Sequence, residues 1–128
     1  MKNKNLINLG SRAFTGQDQT NFAKFSNDYN PIHLDKKYAR KTLPGTTIVH
    51  GVHAVLWSIE LLLSKYQFIY TEYKVYFHKY IKENSIVNVF WDLKLCKLII
   101  KNKYDLNLVT ISCMNKSSIT ELNKKTYK

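Results

Sequence analysis

A segment that is apolar on almost every side, Gly51 to about Lys65, constrains the fold more than any other feature. Its apolar residues recur at helical spacing, and Ala54, Trp57 and Leu61 cover much of the remaining circumference. A helix that is apolar nearly all round is a buried helix. We therefore expect this helix at the centre of the fold. The apolar residues that recur at helical spacing are Val52, Val55, Leu56, Ile59, Leu62 and Leu63.

The residues after this helix change to β-branched and aromatic types, which favour strands. Polar breaks at 82–84 and 102–103 separate the runs. This pattern predicts three or four consecutive antiparallel strands and an α+β fold in which a curved sheet wraps around the long helix. The expected strands are Phe68 to Phe77, Ile86 to Leu95, Leu98 to Tyr104 and Leu106 to Met114.

The chain of 128 residues has the size of one domain, and it contains neither an internal repeat nor a Gly/Ser linker. We expect a single domain over 1–128, with a polar, basic tail at 115–128 that frays. The best apolar run, Ala54 to Leu63, is interrupted by Ser58 and Glu60, so no membrane span is expected. Met1 to Ser11 lacks the apolar block of a secretory signal, which makes the cytoplasm the expected location.

The formal net charge of +11 predicts attraction to anionic partners, and 18 of the 20 basic residues are lysine. Nucleic acid, an acidic carrier protein and the phosphates of coenzyme A would all suit this charge. The lysines are spread over the chain without the interleaved aromatic positions of an RNA-binding motif, which disfavours nucleic acid. Cys96 and Cys113 lie in apolar segments without metal-ligand spacing, so reduced core thiols are expected and a metal site is not.

Two short helices are expected before the central one. Thr20 can cap a helix that carries Phe22, Ala23 and Phe25 and that ends before Pro31, because proline disfavours helical geometry in the residue before it. Asp35 can cap a second helix, from Lys36 to Arg40, which the turn-forming residues 43–45 end.

The string 28–33, Asp-Tyr-Asn-Pro-Ile-His, follows Phe25-Ser26 and is followed by Ile-Val-His-Gly at 48–51. Together these motifs resemble the signature of MaoC-like dehydratases and (R)-specific enoyl-CoA hydratases. The resemblance covers about residues 20 to 55 and implies a hotdog fold. The sequence departs from the family pattern at 78–85, which lacks the proline and the Gly-Asp turn that relatives often carry between strands.

The resemblance implies a hydro-lyase that interconverts (R)-3-hydroxyacyl and trans-2-enoyl thioesters without a metal or redox cofactor. Such a reaction needs a base that activates water, a group that holds the water, and a donor for the enolate oxygen. Asp28 is the expected base, His33 orients the water, and the Gly51 N–H at a helix start binds the carbonyl. The substrate is carried on coenzyme A or on an acyl carrier protein.

Each assignment has a plainer structural alternative. Asp-x-Asn-Pro is commonly a turn in which the side chains bond to nearby backbone. His53 can line the acyl pocket, although a core imidazole is the preferred interpretation, and Trp57 can likewise be ordinary core. A cluster that could meet pantetheine or nucleotide phosphates, or form a solvated helix face, comprises Lys36, Lys37, Arg40 and Lys41. The expected supporting or substrate-binding residues are Ser26, Asn30, Pro31, Val49, His50, His53 and Trp57.

Two alternative functions stay open beside the hydro-lyase. A non-catalytic hotdog module would hold an acyl carrier in the pocket, but retention of both Asp28 and His33 argues against it. A hotdog thioesterase would direct water at the carbonyl carbon, and the Asp-x-Asn-Pro-x-His pattern argues against that. A small domain with such an apolar helix gains from further burial, so a homodimer is expected.

Overall fold

The long helix expected from the sequence forms with the expected bounds in a computed structural model, which describes residues 4–67 and 70–115. The tail after residue 115, and Phe68 and Ile69 of the first expected strand, lie outside the described residues. None of the described helices is long and apolar enough to cross a membrane. The elements in chain order are β1 (Leu6–Ala13), α1 (Gly16–Ser26), α2 (Pro31–Leu34), α3 (Lys36–Arg40), α4 (Gly51–Lys65), β2 (Glu72–Phe77), β3 (Ile86–Asp92), β4 (Lys97–Asn102) and β5 (Asn107–Met114).

The five strands form one antiparallel sheet in the order β1-β3-β4-β5-β2. The meander of β3, β4 and β5 is as predicted, but β2 does not join it at β3. Instead β2 pairs with β5, with Glu72 opposite Met114 and Phe77 opposite Val109. The reason is that β1, a strand that the sequence did not predict, already occupies the free edge of β3.

Helix α4 packs one face against the sheet. Its buried residues are Ala54, Val55, Ser58 and Leu62, and they meet a core from β3, β4 and β5. The opposite face is open in the single chain, where Val52, Leu56 and Leu63 are 56%, 46% and 46% exposed. The prediction of a helix buried all round is therefore wrong for the isolated chain. The residues that form the centre of the core are Val87, Val89, Trp91, Leu98, Ile100, Val109 and Ile111.

Helix α1 begins one turn earlier than predicted. Thr15, and not Thr20, is its N-cap: the Thr15 hydroxyl accepts from the Asp18 N–H, and the Asp18 carboxylate accepts from the Thr15 N–H. This reciprocal pair is a capping box. The Thr20 hydroxyl instead donates to the Gly16 carbonyl inside the helix. The helix ends at Ser26 because Asn27 turns the chain with a φ of 62°.

Helix α3 has the predicted bounds, and the Asp35 carboxylate accepts from the N–H groups of Lys37 and Tyr38. The turn at 82–85 forms without the Gly-Asp pair of the relatives. Asn84 supplies the left-handed conformation there, with a φ of 66°, and its N–H donates to the Phe14 carbonyl. Cys113 is buried and Cys96 is partly buried, both as free thiols, and burial raises the pKa of Cys113 to about 12.

Candidate active site

The segment Asp28–His33 is both a turn and a constellation of polar side chains. One carboxylate oxygen of Asp28 accepts from the Asn30 N–H at 3.1 Å, and the Asn30 amide oxygen accepts from the Ile32 N–H at 3.1 Å. Asn30 thereby caps α2, with Pro31 at the first helical position, where its missing N–H costs nothing. The turn leaves the second oxygen of Asp28 3.8 Å from His33 Nε2. The plain structural role of this turn and the clustering of Asp28 with His33 therefore coexist.

The His33 ring is held by the loop that leads to α4. Its Nδ1 lies 2.9 Å from the Ile48 carbonyl oxygen, which can only accept a hydrogen bond. Nδ1 therefore carries a proton, and in the neutral ring the lone pair is on Nε2, the atom that faces Asp28. The His33 side chain is 12% exposed and that of Asp28 is 50% exposed. The pair thus combines an oriented imidazole with a carboxylate that solvent reaches.

His50 lies against this pair as the N-cap residue of α4. Its Nε2–H donates to the Asp28 carbonyl at 3.0 Å, and its ring stacks on His33 with centroids 3.9 Å apart. Burial lowers the pKa of His50 below 6.5, and the neighbouring His33 lowers this pKa further, against the raising effect of the hydrogen bond to Asp28. His50 therefore ties the Asp28 backbone to the start of α4.

Gln19 on α1 joins the two motifs, and the sequence reasoning missed it. The side chain is fully buried. Its amide nitrogen donates to the carbonyls of Ile48 and His33, and its amide oxygen accepts from the His50 N–H at 3.4 Å. Its spacing of three and four residues from Phe22 and Ala23 was the available signal, because that spacing places it on the same helix face.

Gly51 opens α4 beside these groups. The N-cap has no side-chain hydrogen bond, and within the described residues no hydrogen bond of the Gly51 N–H is found. Free N–H groups and the helix dipole make this end of the helix favourable for negative charge. A Cβ added to Gly51 would lie 2.6 Å from Cε1 of Phe77, so the Phe77 ring can pack against this backbone only because residue 51 is a glycine.

Two cavities adjoin the cluster. The larger, of about 530 Å³, extends from His33 and Gly51 across an apolar wall to the end of β2. The smaller, of about 150 Å³, is lined by Asp28 and shares His33, Gly51 and Val52 with the first. The larger is lined by His33, Ile48, Val49, Gly51, Val52, Phe77, His78, Lys79, Tyr80, Ile81 and Val109, and the smaller by Phe22, Ser26, Asp28, His33, His50, Gly51 and Val52.

The remaining predicted residues divide between the site and the core. Val49 lines the larger cavity, and Ser26 lines the smaller, where its hydroxyl accepts from the Asp28 N–H at 3.2 Å. His53 and Trp57 line neither cavity. His53 stacks on Phe22 at 4.5 Å and Trp57 packs edge-on against Phe14, so both are partly buried packing residues.

The basic cluster is exposed on α3 and just after it, and none of its four residues lines a described cavity. They are Lys36, Lys37, Arg40 and Lys41, and within 4–67 and 70–115 none of them forms an ion pair. Lys79, which the sequence reasoning did not single out, does line the larger cavity.

Asp28, His33 and His50 also place one possible metal-ligand atom each within 4.8 Å of one another. The two rings are stacked, with only 24° between their planes, so their in-plane lone pairs run side by side and do not converge. His50 Nε2 is also engaged with the Asp28 carbonyl. The arrangement fits proton transfer better than metal coordination.

Residues 6–103 match the sequence profile described as MaoC like domain. The (R)-hydratase from A. caviae involved in PHA biosynthesis is structurally similar, with a TM-score of 0.74, 21% identity and coverage of 91% of this chain and 98% of that chain. The MaoC-like dehydratase from Rhodospirillum rubrum is also similar, with a TM-score of 0.72, 15% identity and coverage of 88% of this chain and 90% of that chain. No curated protein sequence matches the chain significantly.

A third similar structure is the 3R-hydroxyacyl-ACP dehydratase complex from Mycobacterium tuberculosis, with a TM-score of 0.70, 9% identity, and coverage of 84% of this chain and 92% of that chain. At these identities the three likenesses establish the architecture. They confirm the α+β hotdog fold that the motifs predict, with a curved antiparallel sheet against a long helix.

Proposed function

The chain belongs to the MaoC-like domain family, and on that premise we propose that it is a hydro-lyase that interconverts (R)-3-hydroxyacyl and trans-2-enoyl thioesters. The observation that carries the proposal is the meeting of Asp28, His33 and the start of α4 around two adjoining cavities. The names of the similar proteins, an (R)-hydratase and a 3R-hydroxyacyl-ACP dehydratase, support the same reaction class.

The hydration step uses Asp28 and His33 on one water molecule. Atoms 3.8 Å apart can both lie within about 2.8 Å of the same oxygen, which is hydrogen-bonding distance. Asp28 takes a proton from the water as the water oxygen bonds to C3 of the enoyl group. The lone pair of His33 Nε2 accepts the second O–H and orients the water. The proton on Asp28 is then returned to C2, so that water is added across the double bond.

Gly51 stabilises the charge that this addition creates. As oxygen bonds to C3, electron density moves through the double bond to the thioester oxygen. The Gly51 N–H at the positive end of α4 is a fixed donor for that oxygen, and a fixed donor needs no reorganisation during the reaction. Removal of one such donor typically costs about 100-fold or more in rate.

The larger cavity is the proposed acyl site. Its apolar wall is formed by Ile48, Val49, Val52, Phe77, Ile81 and Val109, as an acyl chain requires. Coenzyme A or the phosphopantetheine of an acyl carrier protein would carry the acyl group. Lys79 at the cavity wall supplies a charge that phosphate can meet, and the basic cluster on α3 is a second candidate.

A homodimer completes the proposed assembly. Val52 lines both cavities and is also part of the open face of α4. Phe77 lines the larger cavity and is 56% exposed. A second copy that covers this face would bury apolar surface and narrow the open side of the acyl site at the same time.

Loss of absorbance of crotonyl-CoA tests the reaction, because hydration removes the conjugated chromophore. The wild type should hydrate this substrate, and Asp28→Asn and His33→Ala should each reduce the rate at least about 100-fold. Asp105→Asn, which changes an exposed carboxylate paired with Lys101, is the matched control and should leave the rate unchanged.

The two alternative functions give different results in the same assay. A thioesterase would release free coenzyme A, which a thiol reagent detects. A binding module would retain crotonyl-carrier protein without turning it over. Full hydratase activity in both Asp28→Asn and His33→Ala would refute the site.

A further inference from the structure

We propose that Gln19 is a positioning residue, which fixes the Ile48 carbonyl and through it the tautomer of His33. The consequence for rate rests on the proposed function. The tautomer itself is a property of the protein that can be measured without any substrate.

Gln19 is a buried polar side chain whose contacts lie outside its own helix. It is fully buried on α1, and its amide nitrogen donates to the carbonyls of Ile48 and His33. Its amide oxygen accepts from the His50 N–H. A buried amide is unfavourable unless its hydrogen bonds are made. Each of these bonds reaches one of the two motif segments, so one side chain fastens both to α1.

The Ile48 carbonyl is where these contacts act on His33. A carbonyl oxygen has two lone pairs. One accepts from the Gln19 amide nitrogen, and the other accepts from His33 Nδ1 at 2.9 Å. The N–H of the same peptide group is that of Val49, and it is also engaged, since it donates to the Ile81 carbonyl at 2.8 Å. The peptide group is therefore held on both sides, and its carbonyl direction is fixed.

A fixed acceptor at Nδ1 decides where the single proton of a neutral imidazole lies. With the proton on Nδ1, the Nε2 lone pair faces Asp28 and the smaller cavity. With the proton on Nε2, His33 would lose its bond to Ile48 and could no longer accept a hydrogen bond from water at Nε2. Gln19 is thus linked to the His33 ring through two hydrogen bonds, and it controls whether His33 Nε2 carries a lone pair or a proton.

The experiment is ¹⁵N NMR of histidine-labelled protein at a pH where His33 is neutral. The wild type should show the His33 proton on Nδ1. Gln19→Leu and Gln19→Met, which keep the volume but remove the donors, should shift His33 toward a mixture of both tautomers. They should also lower kcat for crotonyl-CoA at least about 10-fold, with KM changed less than about 3-fold.

The control separates positioning from stability. Val89→Ala removes volume from the core away from the site and lowers the melting temperature, but it should leave the His33 tautomer and kcat unchanged. A wild type with the His33 proton on Nε2 overturns the proposal. So does an unchanged tautomer in a folded Gln19 variant, even one that is destabilised. A wild type that hydrates no thioester would refute the proposed function, and the NMR result would still decide the role of Gln19.

Discussion

The ring of Phe77 lies where a side chain at residue 51 would have to begin, since an added Cβ would stand 2.6 Å from Phe77 Cε1. Phe77 ends β2 and Gly51 begins α4, so this contact joins the edge of the sheet to the proposed carbonyl site. Both residues line the larger cavity. The glycine therefore serves packing as well as chemistry, and the two roles can be separated by mutation.

Gly51→Ala should destabilise the fold and reduce hydration of crotonyl-CoA. Overpacking typically costs about 1–3 kcal/mol in the free energy of unfolding. The lower end is expected, because Phe77 is half-exposed and its ring can move. The double variant Gly51→Ala/Phe77→Ala removes the clash. It should regain stability in urea unfolding relative to Gly51→Ala without regaining activity, because the methyl group still stands at the carbonyl site. Recovery of both would contradict the proposed role of the Gly51 N–H.

Thr15→Ala should reduce the free energy of unfolding by about 1 kcal/mol, the usual effect of losing an N-cap. Thr20→Ala is the matched control within the same helix. It removes only a hydroxyl bonded to Gly16 inside the helix, so stability should stay the same or rise slightly. Chemical denaturation of the two variants measures the difference. A larger loss of stability in Thr20→Ala than in Thr15→Ala would show that Thr20 is the N-cap, as the sequence predicted.

His53 should make the fold less stable as the pH falls. Burial lowers its pKa below 6.5, so the unfolded chain binds more protons than the folded chain near and below that pH. The corresponding stability is fully present above pH 6.5 and is lost as the pH falls through the folded pKa. His50 acts in the same direction.

His53→Phe should therefore flatten the dependence of the unfolding free energy on pH between about 7.5 and 5. Phenylalanine can keep the stack on Phe22 and removes the buried Nδ1, which has no partner among the described residues. Urea unfolding at several pH values measures the slope. A slope identical to that of the wild type would show that His53 does not contribute to it.

The open face of α4 should mediate dimerisation. Light scattering of the wild type at micromolar concentration should give twice the mass of the chain, and Leu56→Lys should give a folded monomer, because it places a charge on this face. Leu43→Lys is the control, since Leu43 is 93% exposed in a different part of the chain. A wild type that is monomeric under these conditions would contradict the dimer.

Local signals in the sequence predicted some elements closely. The apolar periodicity gave α4 its bounds, and Asp35 followed by Lys36 predicted α3 because a cap acts on the residues next to it. The motif residues Asp28, His33 and Gly51 meet at adjoining cavities, because the turn and the helix start are each locally encoded.

The elements that the sequence did not predict depend on partners far along the chain. Strand β1 carries Asn8, Gly10 and Arg12, which obscure the alternation of apolar and polar residues that is typical of a strand. Its register with β3 also includes an irregularity between Asn8 and Gly10. The place of β2 beside β5 follows only from the occupation of β3 by β1. The role proposed for Gln19 depends on its hydrogen bonds to Ile48 and His50, which lie far along the chain and meet Gln19 only in the folded protein.

The position of β1 also bears on how the chain folds. Leu6 pairs with Asp92 and Ala13 pairs with Ile86, whereas β3, β4 and β5 are joined by short turns. Closing a long loop costs more entropy than closing a short one, so contacts between distant residues form late. We expect the meander to be the folding nucleus and β1 to add afterwards. During synthesis on the ribosome, β1 would then emerge well before β3 and stay unpaired until the meander had formed.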